Sequence, residues 1–183
     1  DSAYSLKSVQ DNLELYSAWA EDYDHDFASK MDYILPDRVA KTFQDVGGEG
    51  PILDVGAGTG LAGYALAKLG LTPIDAMDVS RAMLDEASKK GIYRNLFVAD
   101  ITKPIKTSGE LYQGIISSGT FTHGHVGPGA IGGLLPLAKA GAYFVLAINK
   151  SYWFEKGFAE KLASLSESIT DPVLRDVDIY GEN

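Results

Sequence analysis

The hydrophobic pattern changes character near Pro51. From about Asp1 to Val46 the chain is polar, aromatic and helix-like, with no strand signal. Pro36 suits a first helical position, where its missing N–H is no loss, and Gly47-Gly48 would stop that helix. Beyond Pro51, short β-rich runs alternate with helical patterns. The expected strands are Ile52–Val55, Ile74–Asp78, Leu96–Ala99, Gly114–Ser117, Tyr143–Ile148 and Val173–Ile179. Helical stretches lie between them at Leu61–Leu69, Arg81–Lys89, Ala130–Leu137 and Tyr152–Ser166. This alternation predicts an α/β fold with a doubly wound, mostly parallel sheet. Charged and polar residues in the last run mark it as an edge strand. No internal repeat or low-complexity segment interrupts the pattern, and 183 residues suit one domain.

The most informative stretch is Asp54-Val55-Gly56-Ala57-Gly58-Thr59-Gly60-Leu61-Ala62-Gly63, in which an apolar strand runs through a glycine turn into a helix. Glycines let the backbone tighten and approach a ligand, at the end of the strands where open parallel sheets bind theirs. Gly58, Gly60 and Gly63 formally fit the dinucleotide G-x-G-x-x-G spacing, so glycines alone decide little. Asp54 favours a different ligand, because its carboxylate would repel a pyrophosphate. S-adenosylmethionine has no phosphate and carries an ammonium and a sulfonium. Tyr64 stands where a P-loop would need Lys after Gly63, which excludes that motif.

Two more acids close strands. Asp78, about 20 positions after the loop, is placed to accept from both ribose hydroxyls. Asp100 ends Leu96-Phe97-Val98-Ala99-Asp100, where it could accept from an adenine amino group. Each acid alone could be a turn or cap residue, and Ser80 could cap the helix after Asp78. Three acids at consecutive strand ends point to one ligand.

With these residues in view, the chain resembles the class I S-adenosylmethionine-dependent methyltransferases, from about Tyr16 to Tyr180. Asp54-Val55-Gly56-Ala57-Gly58-Thr59-Gly60 is similar to their motif I. Met77-Asp78-Val79-Ser80-Arg81-Ala82-Met83-Leu84 is similar to the ribose-binding motif, and Ala99-Asp100-Ile101 to the adenine-side motif. Ser118-Gly119-Thr120-Phe121-Thr122-His123-Gly124-His125-Val126 looks closest to the Williams–Beuren-region methyltransferase-like subfamily. Tyr16-Ser17-Ala18-Trp19-Ala20-Glu21-Asp22-Tyr23-Asp24 resembles the aromatic helix that closes over the cofactor in small-molecule members.

The resemblance implies a Rossmann-like core over residues 49–183 and a helical lid over 1–48, together a single domain. It implies that Gly56, Gly58 and Ser118 meet the methionine part of S-adenosylmethionine, Asp78 the ribose, and Val79, Met83, Asp100 and Ile101 the adenosine. Tyr16 and Tyr23 would come from the lid. Two departures stand out. Tyr112-Gln113 replaces the aromatic–Asp pair that often opens strand four. The chain stops at Tyr180-Gly181-Glu182-Asn183, like a hairpin turn with no returning strand, so an incomplete sheet edge is expected.

Methyl transfer from a sulfonium is an in-line displacement, so the protein must align the partners and exclude water; a base is optional. His123 and His125, in the loop after strand four, are the candidate general bases because imidazole titrates near neutrality. No metal is expected there. His25 lies among Asp22, Asp24 and Asp26 and reads as a paired surface histidine. Tyr152-Trp153-Phe154 reads as pocket wall or as ordinary core packing. Ser117-Ser118-Gly119-Thr120 replaces the Asn/Asp-Pro-Pro-aromatic motif of amide and nucleobase methylation. That favours an oxygen, a carbon or an amine on a small molecule.

Charge narrows the acceptor further. Sixteen Lys and Arg against twenty-five Asp and Glu give a net charge of -9, the wrong sign for nucleic acid or an anionic membrane. No apolar run nears a bilayer span, no signal peptide is evident, and cysteine is absent, consistent with a cytoplasmic protein. The rival readings are an NAD(P)-dependent oxidoreductase and a non-catalytic S-adenosylmethionine-binding protein. A thermal-shift panel separates the first rival: S-adenosylmethionine at 100 times its Kd should stabilise the chain by about 2.7 kcal/mol, and NAD(H) should not. Stabilisation by NAD(H) alone reverses the assignment.

Overall fold

The computed structural model describes residues 32–105, 109–122 and 126–181. Its sheet has five strands: β1 (Ile52–Val55), β2 (Ile74–Asp78), β3 (Tyr93–Val98), β4 (Tyr112–Phe121) and β5 (Ala138–Ile148). All pairings are parallel and the order is β3-β2-β1-β4-β5. The chain therefore winds outward from β1 in both directions. The reversal between β1 and β4 opens a crevice at the strands' carboxyl ends.

Helices cover both faces, which is why β1 can be apolar on each side. On one face lie α1 (Leu35–Asp45), α2 (Leu61–Lys68) and α3 (Arg81–Ser88). There Val39, Phe43 and Leu66 pack with Ile52, Ile74 and Ile116 of the strands. On the other face lie α4 (Gly129–Leu134), α5 (Lys150–Glu155) and α6 (Phe158–Ala163). There Leu53, Val55, Met77 and Ile115 meet Ile131, Leu134, Tyr152 and Phe158. Period-two alternation along β1 thus feeds two cores. Helix α1 buries Leu35, Val39, Ala40 and Phe43, one face at helical spacing, and has Pro36 in its first turn. It ends at Val46, where Gly47 turns into the left-handed region at φ 83°.

The sheet agrees with the sequence in class and differs in detail. Strand β3 begins at Tyr93, and β4 and β5 run longer than expected. The helix expected over Tyr152–Ser166 is two short helices, broken at Gly157, whose φ is 72°. The strand expected at Val173–Ile179 does not form. Its side chains face water (Val173 is 80% exposed), and it leaves the sheet to meet the start of α1. There Tyr33 and Tyr180 form an antiparallel bridge, and the Ile34 N–H donates to the Ile179 carbonyl at 2.9 Å. On the way, Lys150 pairs with Asp176 at 2.8 Å. Strand β5 is consequently an edge of the described sheet.

One buried carboxylate ties three strands together at the end away from the crevice. Asp75 of β2, 3% exposed, accepts from Arg94 Nε at 3.0 Å and Nη2 at 2.8 Å. It also accepts from the Asn95 amide and side chain, each at 3.1 Å, and from the Tyr112 hydroxyl at 2.8 Å. Burial pushes its pKa up, but Arg94, Tyr112 and Asn95 more than offset that, so the carboxyl lies below its ordinary value. A depressed folded value contributes stability that is present above the unfolded pKa, about 4, and is lost as pH falls through the folded one. Tyr112→Phe should cost about 1–3 kcal/mol in urea unfolding, the penalty for removing one partner of a buried polar group. Asp75→Asn should flatten the acid limb of the stability curve below about pH 4. A limb of unchanged steepness would mean the network carries no charge linkage.

Candidate active site

The crevice is built on the turn between β1 and α2. Gly56, Gly58 and Gly60 all lie in the left-handed region, with φ of 64°, 56° and 90°. L-residues with a Cβ avoid that region, so the turn needs glycine. The four loop glycines then divide by neighbour. A Cβ on Gly58 would meet nothing within 4 Å among the described residues, so that position opens outward from them. A Cβ on Gly56 would come within 1.9 Å of the Thr120 hydroxyl. On Gly60 and Gly63 it would strike the ring and hydroxyl of Tyr93, at 2.9 and 2.2 Å.

The acids expected at the strand tips occupy three different environments. Asp78 ends β2 and joins the loop to the next helix. Its Oδ2 accepts from the Gly58 N–H and its Oδ1 from the Ser80 N–H, each at 2.8 Å. Burial raises its pKa, against the pull of the Ser80 and Gly58 amides. Asp54 lies beneath the loop, 1% exposed. Its Oδ2 accepts from the Tyr93 hydroxyl at 2.7 Å and the Gly63 N–H at 3.1 Å, while its Oδ1 has no partner among the described residues. Burial pushes this carboxyl up to about 7, opposed by those two donors and reinforced by the Asp78 charge. Asp100 folds onto its own turn, accepting from the Thr102 amide at 2.9 Å and hydroxyl at 2.6 Å, with Lys103 at 3.2 Å. Burial raises its pKa, but Thr102 and Lys103 leave it below the ordinary value.

The other expected residues are placed as follows. Met83 is buried in the first turn of α3, where the Ser80 hydroxyl accepts from its N–H at 3.3 Å as a helix cap. Val79 is exposed beside Asp78. Ile101, 8% exposed, belongs to the apolar core of the α4–α6 face. Ser118 is half-buried in β4, within a register shift between Ser117 and Phe121. Such an irregularity re-aims side chains, and here Thr120 turns to the loop. The Ser117 hydroxyl donates to Thr120 Oγ1 at 2.8 Å, which donates to the Val55 carbonyl at 3.0 Å. Tyr16, Tyr23, His25, His123 and His125 lie outside the described residues.

The aromatic run after β5 is divided. Tyr152 is core, packed against Phe158, and Trp153 stacks on Phe158 at 5.7 Å, while Phe154 is 75% exposed. Trp153 also lines an apolar cavity of about 310 Å³ with Leu162 of α6, Pro172 and Leu174, and no residue of the glycine loop is among its walls. Tyr93, Thr120 and Ser117 are the site residues that spacing did not disclose. Their partners are 39, 65 and 3 positions away, and only the folded sheet brings the first two to the loop.

Residues 52–149, more than half of the chain, match the family described as methyltransferase domain. The chain belongs to that family. The resemblance drawn from the sequence implies S-adenosylmethionine as its cofactor. This methyltransferase domain is 29% identical over 136 residues to "Methyltransferase-like protein 27" of Homo sapiens, covering 71% of this chain and 55% of that protein. The chain thus spans about half the length of the curated relative it matches. In fold it is similar to a TehB-like SAM-dependent methyltransferase from Corynebacterium glutamicum (18% identity, TM-score 0.59, 85% of this chain and 83% of that one). A second similar structure is an S-adenosylmethionine-dependent methyltransferase from Clostridium acetobutylicum (21%, 0.53, 76% and 59%).

The residues present fit that cofactor. The outward-open Gly58 leaves room against the backbone, and the amide it would offer a pyrophosphate is given to Asp78. Two carboxylates at or under the loop suit a cationic ligand and oppose a phosphate. Among the described residues no group of His, Cys, Asp and Glu could hold a metal. The division of the glycines in this methyltransferase domain is testable by thermal unfolding. Gly58→Ala should cost only the left-handed strain, about 1–2 kcal/mol. Gly56→Ala should cost clearly more, because Thr120 must move as well. Equal losses would show that Thr120 yields freely.

Proposed function

We propose that the chain transfers the methyl group of S-adenosylmethionine to a small-molecule acceptor. The observation that carries this reading is the Asp78 carboxylate at the tip of β2, joined to the Gly58 amide beside an open backbone. It offers two acceptor oxygens at the crevice and no cradle for phosphate. The net charge of -9 supports a small acceptor over nucleic acid, whose backbone needs clustered cations. Among the described residues no helix is long and apolar enough to cross a membrane. A cytoplasmic setting is the reading the cysteine-free composition supports.

In this reading Asp78 accepts from the ribose hydroxyls, and Gly56, Gly58 and Ser118 border the methionine part. Val79, Met83, Asp100 and Ile101 form the adenosine side. For Asp100 and Ile101 this requires their turn and core contacts to sit behind that surface. Of residues 1–48, α1 packs into the core of the sheet, so in this reading the lid of the single domain is the preceding segment with Tyr16 and Tyr23, excluding water from the transfer. When bound, the cofactor supplies a methyl on a sulfonium, so one S–C bond breaks as the acceptor nucleophile attacks in line. His123, with His125 near it in the loop, takes the acceptor's proton where the acceptor must lose one.

The reading is tested by incubating the chain with S-adenosylmethionine and a panel of small alcohols, phenols, amines and carbon acids. S-adenosylhomocysteine should appear with at least one acceptor. Asp78→Asn should weaken cofactor binding by about tenfold or more, since hydrogen bonds to a charged group contribute about 1.5–3 kcal/mol each. Undiminished binding by that variant, or no binding by the unaltered chain, contradicts the assignment.

A further inference from the structure

The Tyr93 side chain is placed more exactly than a space-filling ring requires. It springs from the first residue of β3, the edge strand, and passes over β2 to reach β1. Its hydroxyl ends 2.7 Å from Asp54 Oδ2, the same oxygen that accepts from the Gly63 N–H in the first turn of α2. Room for it exists only because one position in the loop and one in α2 lack side chains. A Cβ on Gly63 would be 2.2 Å from the hydroxyl, and one on Gly60 would be 2.9 Å from the ring. A ring wanted for packing alone would be served as well by phenylalanine, which would leave Asp54 with one donor for two buried oxygens. Asp54 Oδ1 already lacks a partner among the described residues, so the tyrosine is half of this carboxylate's supply.

We propose that Tyr93 is a positioning residue for the cofactor: its hydroxyl holds Asp54 under the glycine loop and so fixes the backbone on which S-adenosylmethionine lies. The inference rests on the functional reading above. It adds a residue that touches neither cofactor nor acceptor and acts through Asp54. The loop sits between two carboxylates, Asp78 holding Gly58 from the crevice side and Asp54 holding Gly63 from beneath. Lys90, past the end of α3, donates to the Thr59 carbonyl at 2.8 Å and ties down the residue between them. Without the tyrosine hydroxyl, the lower of the two anchors is left to one amide.

The charge on Asp54 gives the test its signature. The groups facing it are the Tyr93 hydroxyl from β3, the Gly63 amide from α2 and the like charge of Asp78 from β2. Across the strand pair β4 presents Ile116, which carries no charge. Burial lifts the Asp54 pKa to about 7, and the tyrosine is the larger of the two donors that hold it down. An ionised Asp54 suits a cationic ligand, so binding should weaken as pH falls through that value. Removal of the hydroxyl should carry the midpoint upward.

The experiment is calorimetric titration of the chain with S-adenosylmethionine from pH 5.5 to 9, using the unaltered protein, Tyr93→Phe, Asp54→Asn and the double variant. Tyr93→Phe should raise Kd about tenfold at pH 7.5, the effect of one hydrogen bond to a buried charge, and move the pH midpoint up by about one unit. In the Asp54→Asn background the same change should cost under about twofold, because the two residues act through one contact. Should Asp54→Asn fail to fold, the midpoint shift in Tyr93→Phe decides alone. An unshifted midpoint, or an equal loss in both backgrounds, reduces the tyrosine to packing and overturns the inference. Failure of the unaltered chain to bind S-adenosylmethionine overturns the functional reading itself, a separate result from tight binding that ignores Tyr93.

Discussion

Asp54 sits where β1, the first turn of α2 and the ring of Tyr93 meet, and the loop above it takes its shape from how that carboxylate is satisfied. An isolated charge in an apolar interior costs several kcal/mol unless donors surround it. Here the donors come from a helix amide and from a side chain two strands away. The glycines at 60 and 63 make room for that side chain, and those at 56 and 58 leave the outer surface of the turn to Thr120 and to open space. A sequence motif usually read as a ligand cradle is therefore two structures back to back. Its outward half serves the crevice and its inward half serves a buried hydrogen bond.

How much of this was legible follows from the range of each interaction. Strand β1, the turn and α2 are contiguous, so apolar run, glycines and helix pattern could be read in one window. Asp78 was equally readable, because an acid closing the second strand stands next to the turn in any parallel sheet. Asp100 follows from the same rule, whereas Ile101 comes only from the family resemblance. The structure shows what the rule does not contain: the carboxylate serves its own turn through Thr102 and Lys103, and the isoleucine is packed into a core. Tyr93 was invisible for a different reason. A tyrosine opening a strand is ordinary in composition, and its partner is 39 residues upstream. The role of Thr120 depends on a register shift that periodicity cannot report.

Tyr152-Trp153-Phe154 follows a strand on the ligand side, and three aromatics there suggested a pocket wall. Helical geometry separates them, since consecutive helical residues point about 100° apart. Tyr152 and Trp153 turn inward onto Phe158, and Phe154 turns out to water. The run at Val173–Ile179 had the composition of an edge strand, yet a strand needs a neighbour to pair with. Its contacts go instead to Lys150 and to Tyr33-Ile34 at the head of α1.

Two aspartates inside one small sheet respond to acid in opposite senses. Asp75, saturated with donors, loses its contribution only when strong acid protonates it. Asp54, short of donors, is raised above its unfolded value, so its ionised form strains the fold at alkaline pH and a proton relieves it as pH falls through about 7. These two groups alone would make the empty domain sturdiest in mildly acidic solution, where Asp54 is neutral and Asp75 still charged. A cationic ligand would prefer the opposite state of Asp54. Durability and readiness to bind are thus set against each other by a single proton, and the bound ligand itself would supply what the empty fold lacks.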